Sequence, residues 1–149
     1  MNTEIQNRLE KLAYKRTQPF CYSCYKETHS GTCESCRSDD LMRLMVNVGC
    51  DYGVDWAIKY ILESELTPVN LSRAFEDSVR ECYPKEVTVG WMTLDSISVM
   101  KAMDPIFWQC AQSEWEEQEA REGNIISFDS GLNYYYQTDI ENFLDQEEH

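Results

Sequence analysis

Apolar residues recur with helical spacing in several stretches of the chain. Stretches with one apolar face predict helices over residues 4–16, 53–65, 71–83, 94–103 and 105–122. Asn70, Thr93 and Asp104 are predicted to cap the helices that follow them. A capping-box pattern from Thr138 to Glu141 predicts a short final helix. The segment 41–49 fits either a helix or a short strand, and we interpret it as a helix. Helices therefore dominate the predicted secondary structure.

Three further strand candidates lie in the C-terminal half of the chain. Apolar and polar residues alternate over 86–92, which predicts a strand. Residues 125–129 and 133–137, joined by a three-residue turn, predict a hairpin. We therefore expect a small antiparallel sheet of about three strands in this half of the chain.

Four cysteines form two C-x-x-C pairs near the N-terminus, Cys21 with Cys24 and Cys33 with Cys36. Such a pair allows both thiolates to bind one ion, and two pairs complete a closed tetrahedral shell. The spacing predicts a structural Zn²⁺ site in a short zinc-ribbon or knuckle module. Iron in a rubredoxin-like shell uses the same ligands, and spacing does not separate the two metals. His29, in the spacer, is a less favoured competing ligand because four thiolates already close the shell.

Disulfide or redox chemistry is the alternative use of these cysteines. The chain has seven cysteines, an odd number, which disfavours disulfides. A redox C-x-x-C normally lies where a strand ends and a helix begins, and the sequence around these pairs lacks that context. Metal binding therefore explains the two pairs better. The remaining cysteines, Cys50, Cys82 and Cys110, lie in apolar or helical contexts and are predicted to be buried, inert thiols.

The combined patterns predict an α+β fold. Residues 1–45 form an N-terminal helix and the four-cysteine module, and residues 46–149 form an acidic α+β domain. An apolar content of 42% is enough for a packed core, so the chain is not expected to be disordered as a whole despite its charge.

Charge is distributed unevenly between these two parts. Residues 1–45 hold seven basic and six acidic side chains, and residues 46–149 hold six basic and 21 acidic ones, so the net charges are +1 and −15. A surface this acidic repels free nucleic acid, which we do not expect as a partner. It favours a protein partner with a basic groove.

Catalytic motifs are scarce. The only histidines are His29, in the cysteine spacer, and His149, the last residue, so a histidine-based triad is not expected. Phosphate-binding and dinucleotide-binding glycine motifs are absent from the sequence. We therefore expect a non-enzymatic protein. The sequence shows neither a secretory signal nor a transmembrane segment, so we expect a cytoplasmic location without membrane contact.

Acidic residues cluster on the helix predicted over 105–122, and others follow it. A row of carboxylates can imitate a phosphate backbone and occupy a basic groove built for nucleic acid. An ordinary solvated helix face explains the same cluster, and the tyrosines at 134–136 also fit a plain strand. The predicted partner-binding residues are Glu114, Glu116, Glu117, Glu119, Asp129, Tyr135, Asp139 and Glu141.

Two stretches, VGWMTLDSISVMKAMDPIFW (89–108) and ISFDSGLNYYYQTDIENFL (126–144), resemble small uncharacterised proteins of phages and other mobile elements. The resemblance covers about the last 60 residues and includes no catalytic motif. It implies a setting in which small acidic proteins antagonise host defence enzymes, as anti-CRISPR or antirestriction proteins do, and it implies a role for no particular residue.

The leading hypothesis is an acidic zinc-binding protein that inhibits or adapts a nucleic-acid-handling protein, such as a host defence nuclease complex. The alternative is a zinc-ribbon regulator that binds nucleic acid, with Tyr22 and Tyr25 stacking on bases. The basic residues available for that role are Lys11, Lys15, Arg16, Lys26, Arg37 and Arg43.

Overall fold

The computed structural model describes residues 3–28 and 31–148, so His29 and His149 lie outside the described residues. In chain order, the elements of the described part are α1 (Thr3–Arg16), β1 (Gln18–Cys21), β2 (Lys26–Glu27), β3 (Met42–Met45), β4 (Gly49–Asp51), α2 (Asp55–Glu65), α3 (Leu71–Cys82), β5 (Glu86–Val89), β6 (Met92–Asp95), α4 (Ser96–Met103), α5 (Pro105–Arg121), β7 (Ile125–Ile126), β8 (Tyr135–Tyr136) and α6 (Gln137–Glu148). These helices and small antiparallel sheets confirm the predicted α+β class.

The chain forms two compact units. The first comprises residues 1–68 and 127–149, and the second comprises residues 69–126. The predicted domain boundary after residue 45 does not coincide with a division between units. It falls at the end of β3, and β4 pairs with β3 directly beyond it. Sheet pairing and helix packing therefore continue across the predicted boundary.

A four-stranded antiparallel sheet of the first unit surrounds the cysteine segment, in the order β2-β1-β3-β4. The helix predicted over 41–49 is wrong, because this segment supplies β3 and the start of β4. Asn47, at φ 67°, makes the reversal between the two strands, and a right-handed helix cannot contain that conformation. The apolar residues of β3 gain backbone partners in β1, with Gln18 opposite Leu44.

Three helices enclose the core of the first unit. The predicted apolar face of α1 is confirmed, and it packs against α2 and α6. Burying each leucine, isoleucine or phenylalanine of this core stabilises the fold by roughly 1.5–3 kcal/mol. The buried helical residues are Ile5, Leu9, Leu12, Ala13, Ala57, Ile58, Ile61, Leu62, Ile140, Phe143 and Leu144.

Arg43 of β3 joins the sheet to the C-terminal end of α1. Its guanidinium donates to the carbonyl oxygens of Tyr14 and Thr17, both at 2.9 Å, and to the Thr17 hydroxyl at 3.0 Å. It also lies 4.9 Å from the Tyr14 ring centroid. These bonds satisfy carbonyls that a helix end leaves without partners, so α1 and the sheet are held together.

The second unit consists of three helices, a hairpin of two strands and the short strand β7. The predicted caps of two helices are confirmed, because Asn70 accepts from the backbone N–H of Arg73 and Asp104 accepts from that of Phe107. The predicted cap at Thr93 is wrong. Strand β6 continues through that residue to Asp95, which caps α4.

The predicted three-stranded sheet does not form. Strand β5 pairs only with β6, in a two-stranded sheet closed by Gly90 and Trp91, and Gly90 has a φ of 62°. The hairpin predicted over 125–137 is reduced to the two-residue strands β7 and β8. The alternation over residues 86–92 correctly predicted a strand in this segment. The turn at residues 90–91 reverses the chain directly after β5, so β5 pairs with the adjacent β6 and not with the strands that follow later.

Candidate metal centre

The first cysteine pair belongs to the β1–β2 hairpin. Cys21 ends β1 and lies opposite Lys26, so the four-residue loop between them carries Cys24 back toward Cys21. The backbone N–H of Thr28 donates to the Pro19 carbonyl at 3.0 Å and extends the pairing beyond the strands. The hairpin therefore holds one knuckle of the site.

The second pair lies in a turn between β2 and β3. The backbone N–H of Arg37 donates to the Cys33 carbonyl at 2.8 Å, which closes the turn around Cys36. The N–H of Cys33 donates to the Ser38 carbonyl at 2.8 Å. Because β3 pairs with β1, the sheet brings this second turn to the first.

The four sulfur atoms converge on one point. The Sγ atoms of Cys21, Cys24, Cys33 and Cys36, hereafter the four-cysteine cluster, all lie within 4.8 Å of one another. Sγ of Cys21 and Sγ of Cys36 are 3.6 Å apart. A tetrahedral ion with bonds of about 2.3 Å to sulfur sets its ligands about 3.8 Å apart, whereas a disulfide needs about 2.0 Å. The spacing therefore fits a bound metal ion.

The surroundings of the sulfurs make their acidities unequal. The backbone N–H of Cys36 donates to Cys33 and lowers the pKa of this thiol to about 6, although burial acts in the opposite direction. Hydrogen bonds with the thiols of Cys36 and Cys33 raise the pKa of Cys24 to about 12. Four thiolates this close would repel one another strongly. All four can therefore be deprotonated at the same time only when a bound cation neutralises their charge.

Both knuckles require a left-handed backbone at the residue that follows their second cysteine. Tyr25 follows Cys24 at φ 57°, and Arg37 follows Cys36 at φ 61°. A side chain in this conformation costs about 1–2 kcal/mol, a penalty that glycine avoids. The folding of the site therefore maintains local strain at two positions.

Replacing Arg37 by glycine is expected to stabilise the knuckle by about 0.5–1 kcal/mol, because glycine accepts the left-handed conformation. The Arg37 side chain is exposed, and its backbone bond to Cys33 remains possible. Urea unfolding of the metal-loaded protein measures the change. The control, Arg37→Ala, removes the same side chain but keeps Cβ. An equal gain in both variants would contradict the strain argument.

The four-cysteine cluster is the only group of three or more potential metal ligands that converges within residues 3–28 and 31–148. Cys21 and Cys33 are buried, Cys24 is half-buried and Cys36 is exposed. All four positions of a tetrahedral ion would be filled by thiolates. Such a shell has no open position for a substrate, which makes the centre suited to stabilising the fold.

The other three cysteines are not the buried thiols that the sequence predicts. Cys50 is half-buried, and Cys82 and Cys110 are exposed. Cys82 and Cys110 lie on helices of the second unit whose apolar residues are largely uncovered. The helical pattern does not show whether a helix face is covered, and within the second unit Cys82 and Cys110 are not covered by the neighbouring helices.

The predicted acidic partner-binding residues fall in both units. Glu114 and Glu117 are exposed on α5 and lie beside the same shallow depression as Arg121. Glu116 and Glu119 of the same helix are half-buried, and Glu116 accepts a hydrogen bond from Gln112. In the second unit, Glu114 and Glu117 therefore form the open part of the predicted surface.

In the first unit, the predicted partner-binding residues are largely engaged internally. Tyr135 is only 3% exposed, so its proposed contact with a partner is corrected to a role in the core. The Asp129 carboxylate accepts hydrogen bonds from Ser127 and Asn133, which lower its pKa against the opposing effect of burial. Glu141 is half-buried, and Asp139 is exposed. Asp139 therefore remains the open carboxylate of this group.

Sequence reasoning missed a group of exposed apolar side chains of the second unit. Met103 and Phe107 are 79% and 69% exposed. Helical periodicity identifies such residues but does not show whether anything covers them.

Comparisons with protein-family models, curated proteins and solved structures found no match to this chain. Within residues 3–28 and 31–148, none of the helices combines the length and apolar character needed to cross a membrane.

Proposed function

We propose that this protein is a non-enzymatic zinc-binding protein that inhibits or adapts a nucleic-acid-handling protein by binding to it. The observation that carries the proposal is the pair of exposed carboxylates, Glu114 and Glu117, on a helix of an acidic unit. Residues 69–126 hold eleven acidic and five basic side chains, a net charge of −6. Such a surface favours a basic groove and repels free nucleic acid.

Zinc is the metal that best suits the four-cysteine cluster. Four thiolates in a tetrahedron select zinc or iron, and zinc is the common structural choice in ribbons and knuckles. When bound, it supplies cross-links between two turns that have little apolar core of their own. Its role in the proposed function is to hold the sheet rigid.

The first knuckle offers a second contact for the partner. Tyr22 and Tyr25 are exposed on the loop between β1 and β2, and their ring centroids are 6.1 Å apart. Tyr25 also packs edge-on against Phe20, at 5.3 Å. Exposed aromatic rings held in a rigid loop are effective anchors in protein interfaces.

The proposed partner is a host defence nuclease or its complex, in the setting that the resemblance to mobile-element proteins implies. The carboxylates would occupy the groove that binds its nucleic acid. High salt would then weaken the complex, because the attraction between exposed charges is screened. Steering by charge would also speed its formation.

The experiment is capture of the partner from native host extract, followed by fluorescence anisotropy of its labelled nucleic acid. Adding this chain is expected to release the nucleic acid, with less release as the salt concentration rises. The variant Glu114→Lys with Glu117→Lys is expected to weaken release at least about tenfold, through the loss of two charge contacts. The control, Asp39→Lys with Glu63→Lys, makes the same charge change at exposed residues of the first unit.

Two results would contradict the proposal. A captured partner that keeps its nucleic acid in the presence of excess chain would exclude inhibition by competition. Equal loss of release in both charge-reversed variants would show that only total charge matters, and it would remove the assigned role of α5.

Nucleic-acid binding by the zinc module remains the second candidate, favoured by the exposed Tyr22 and Tyr25. Several of its basic residues are already engaged, however. Arg43 is bonded to α1, and Arg16 pairs with Glu147 at 2.8 Å. Direct anisotropy with short DNA and RNA tests this candidate, and submicromolar binding at physiological salt would place it first.

A further inference from the structure

An apolar groove lies within the second unit, between α3, α4 and α5. It encloses about 560 Å³. Val79 of α3, Met100 and Met103 of α4, and Phe107 and Trp108 of α5 contribute to its walls. Asp104 is the only charged residue among the described side chains that line it. The groove is therefore almost entirely hydrophobic.

Helix α5 forms one wall of this groove but does not cover it. It has 17 residues, all described, and none of them is buried. Its contact with α3 comes from Trp108 and Trp115, whose ring centroids lie 4.9 and 5.7 Å from that of Phe75. Phe107 and Met103 line the same groove and are largely exposed. A contiguous apolar surface of this kind marks an interaction site.

The side chains of the groove suit a helical occupant. Parallel ridges of a helix fit between neighbouring helices, and an amphipathic helix presents apolar residues at three- and four-residue spacing. Methionines line one wall, and their flexible thioethers adapt to differently shaped apolar side chains. Asp104 is the only charged group of the lining, and most of the other lining side chains are apolar, so the groove offers few polar groups to orient a small polar ligand.

Charge decides which helix fits. Of the five basic side chains in the unit, Arg80 lies 3.8 Å from carboxylate oxygens of Glu76 and Asp77, and Lys101 also pairs with Glu76. The unit remains at −6. A second copy of this chain would set −6 against −6 across the contact, which opposes self-association. A helix flanked by lysine and arginine meets a complementary surface.

We propose that the groove binds an amphipathic helix of the partner protein, with apolar residues facing Met103 and Phe107 and basic residues on both flanks. This deepens the proposed function, on which it rests for the existence of a protein partner. The groove supplies affinity by burying apolar surface, and the net charge of −6 of the unit favours a basic segment over an acidic one.

The probe is a fluorescent leucine–lysine amphipathic peptide about 14 residues long, roughly four helical turns. Binding to the full metal-loaded chain is measured by anisotropy. The variant Phe107→Asp is expected to weaken binding at least about tenfold, because a charge replaces an apolar anchor. The control, Ile106→Asp, adds the same charge at the neighbouring residue, which is 75% exposed and outside the groove. It is expected to change affinity less than about twofold.

The design separates the groove from general attraction to an acidic protein. Both substitutions place aspartate in the first turn of α5, where a helix accepts it well. Circular dichroism of both variants checks that the fold is kept. A leucine–glutamate peptide of the same length and apolar pattern is expected to bind at least about tenfold more weakly, because it faces like charge.

Several outcomes would overturn the inference. Equal peptide affinity of the two variants would place binding elsewhere, and equal affinity for both peptides would remove the charge argument. A dimer in sedimentation that is broken by Phe107→Asp would make a second copy the occupant. Binding of a small apolar dye but of neither peptide would make the groove a ligand pocket. If the peptide binds as expected but the captured partner keeps its nucleic acid, the groove stands and the proposed function fails.

Discussion

Replacing Cys33 by serine is expected to abolish stoichiometric zinc binding and to unfold the sheet β2-β1-β3-β4. Cys33 is buried, and two backbone N–H groups, those of Cys36 and Ser35, donate to its sulfur. Serine supplies no thiolate, and even residues that only orient ligands contribute about 10–100-fold to metal affinity. We expect a loss of more than about a hundredfold. Structural zinc supplies about 10–16 kcal/mol in small zinc modules, so we expect the sheet to unfold when a ligand is lost.

Native mass spectrometry and metal analysis measure this effect, and hydrogen exchange of residues 18–51 reports the unfolding. The matched control is Cys110→Ser, which removes an exposed thiol from α5 and is expected to keep one zinc per chain. A Cys33→Ser protein that binds zinc as tightly as the parent would contradict the assignment. So would a parent protein that contains no metal after purification without chelators. A red chromophore would identify iron instead of zinc.

Replacing Leu62 by alanine is expected to lower the free energy of unfolding of the first unit by about 2–5 kcal/mol. Leu62 is fully buried on the inner face of α2, which packs against α1. The substitution loses the burial of a methine and two methyl groups and leaves a cavity that the packed helices fill only in part. The effect is large because a domain is stable by only about 5–15 kcal/mol.

Urea unfolding of the metal-loaded protein, followed by circular dichroism, measures this loss. The control is Leu132→Ala, the same substitution at a residue that is 79% exposed, and it is expected to change stability by less than about 0.5 kcal/mol. Similar losses in the two variants would show that the packing of α2 contributes less than its burial implies.

Ion pairs in the first unit reduce the number of basic side chains that could bind nucleic acid. Residues 1–45 have a net charge of +1, which by itself is compatible with a nucleic-acid-binding surface. In the folded first unit, Arg8 contacts Asp145 at 2.7 Å and Glu148 at 2.9 Å. Asp145 and Glu148 neutralise the positive charge of Arg8, which is then less available to bind a phosphate backbone. This favours the protein-binding proposal over nucleic-acid binding.

The sequence alone determined the features that depend on near neighbours. The apolar faces of α1 and α2, the caps Asn70 and Asp104, and the pairing of the four cysteines all follow from spacings of a few residues. Helical periodicity, capping and metal-ligand spacing are local in origin, so a pattern read along the chain captures them. These elements are confirmed by the structure.

Only the tertiary structure decided features that depend on partners distant along the chain. Segment 41–49 became a hairpin because β1 offered it backbone partners, and Tyr135 became buried although its strand is only two residues long. The face of α5 around Phe107 stayed open because no other segment of the second unit covers it. The sequence pattern shows which residues are apolar. Whether an apolar residue is buried depends on which surfaces contact each other in the folded protein.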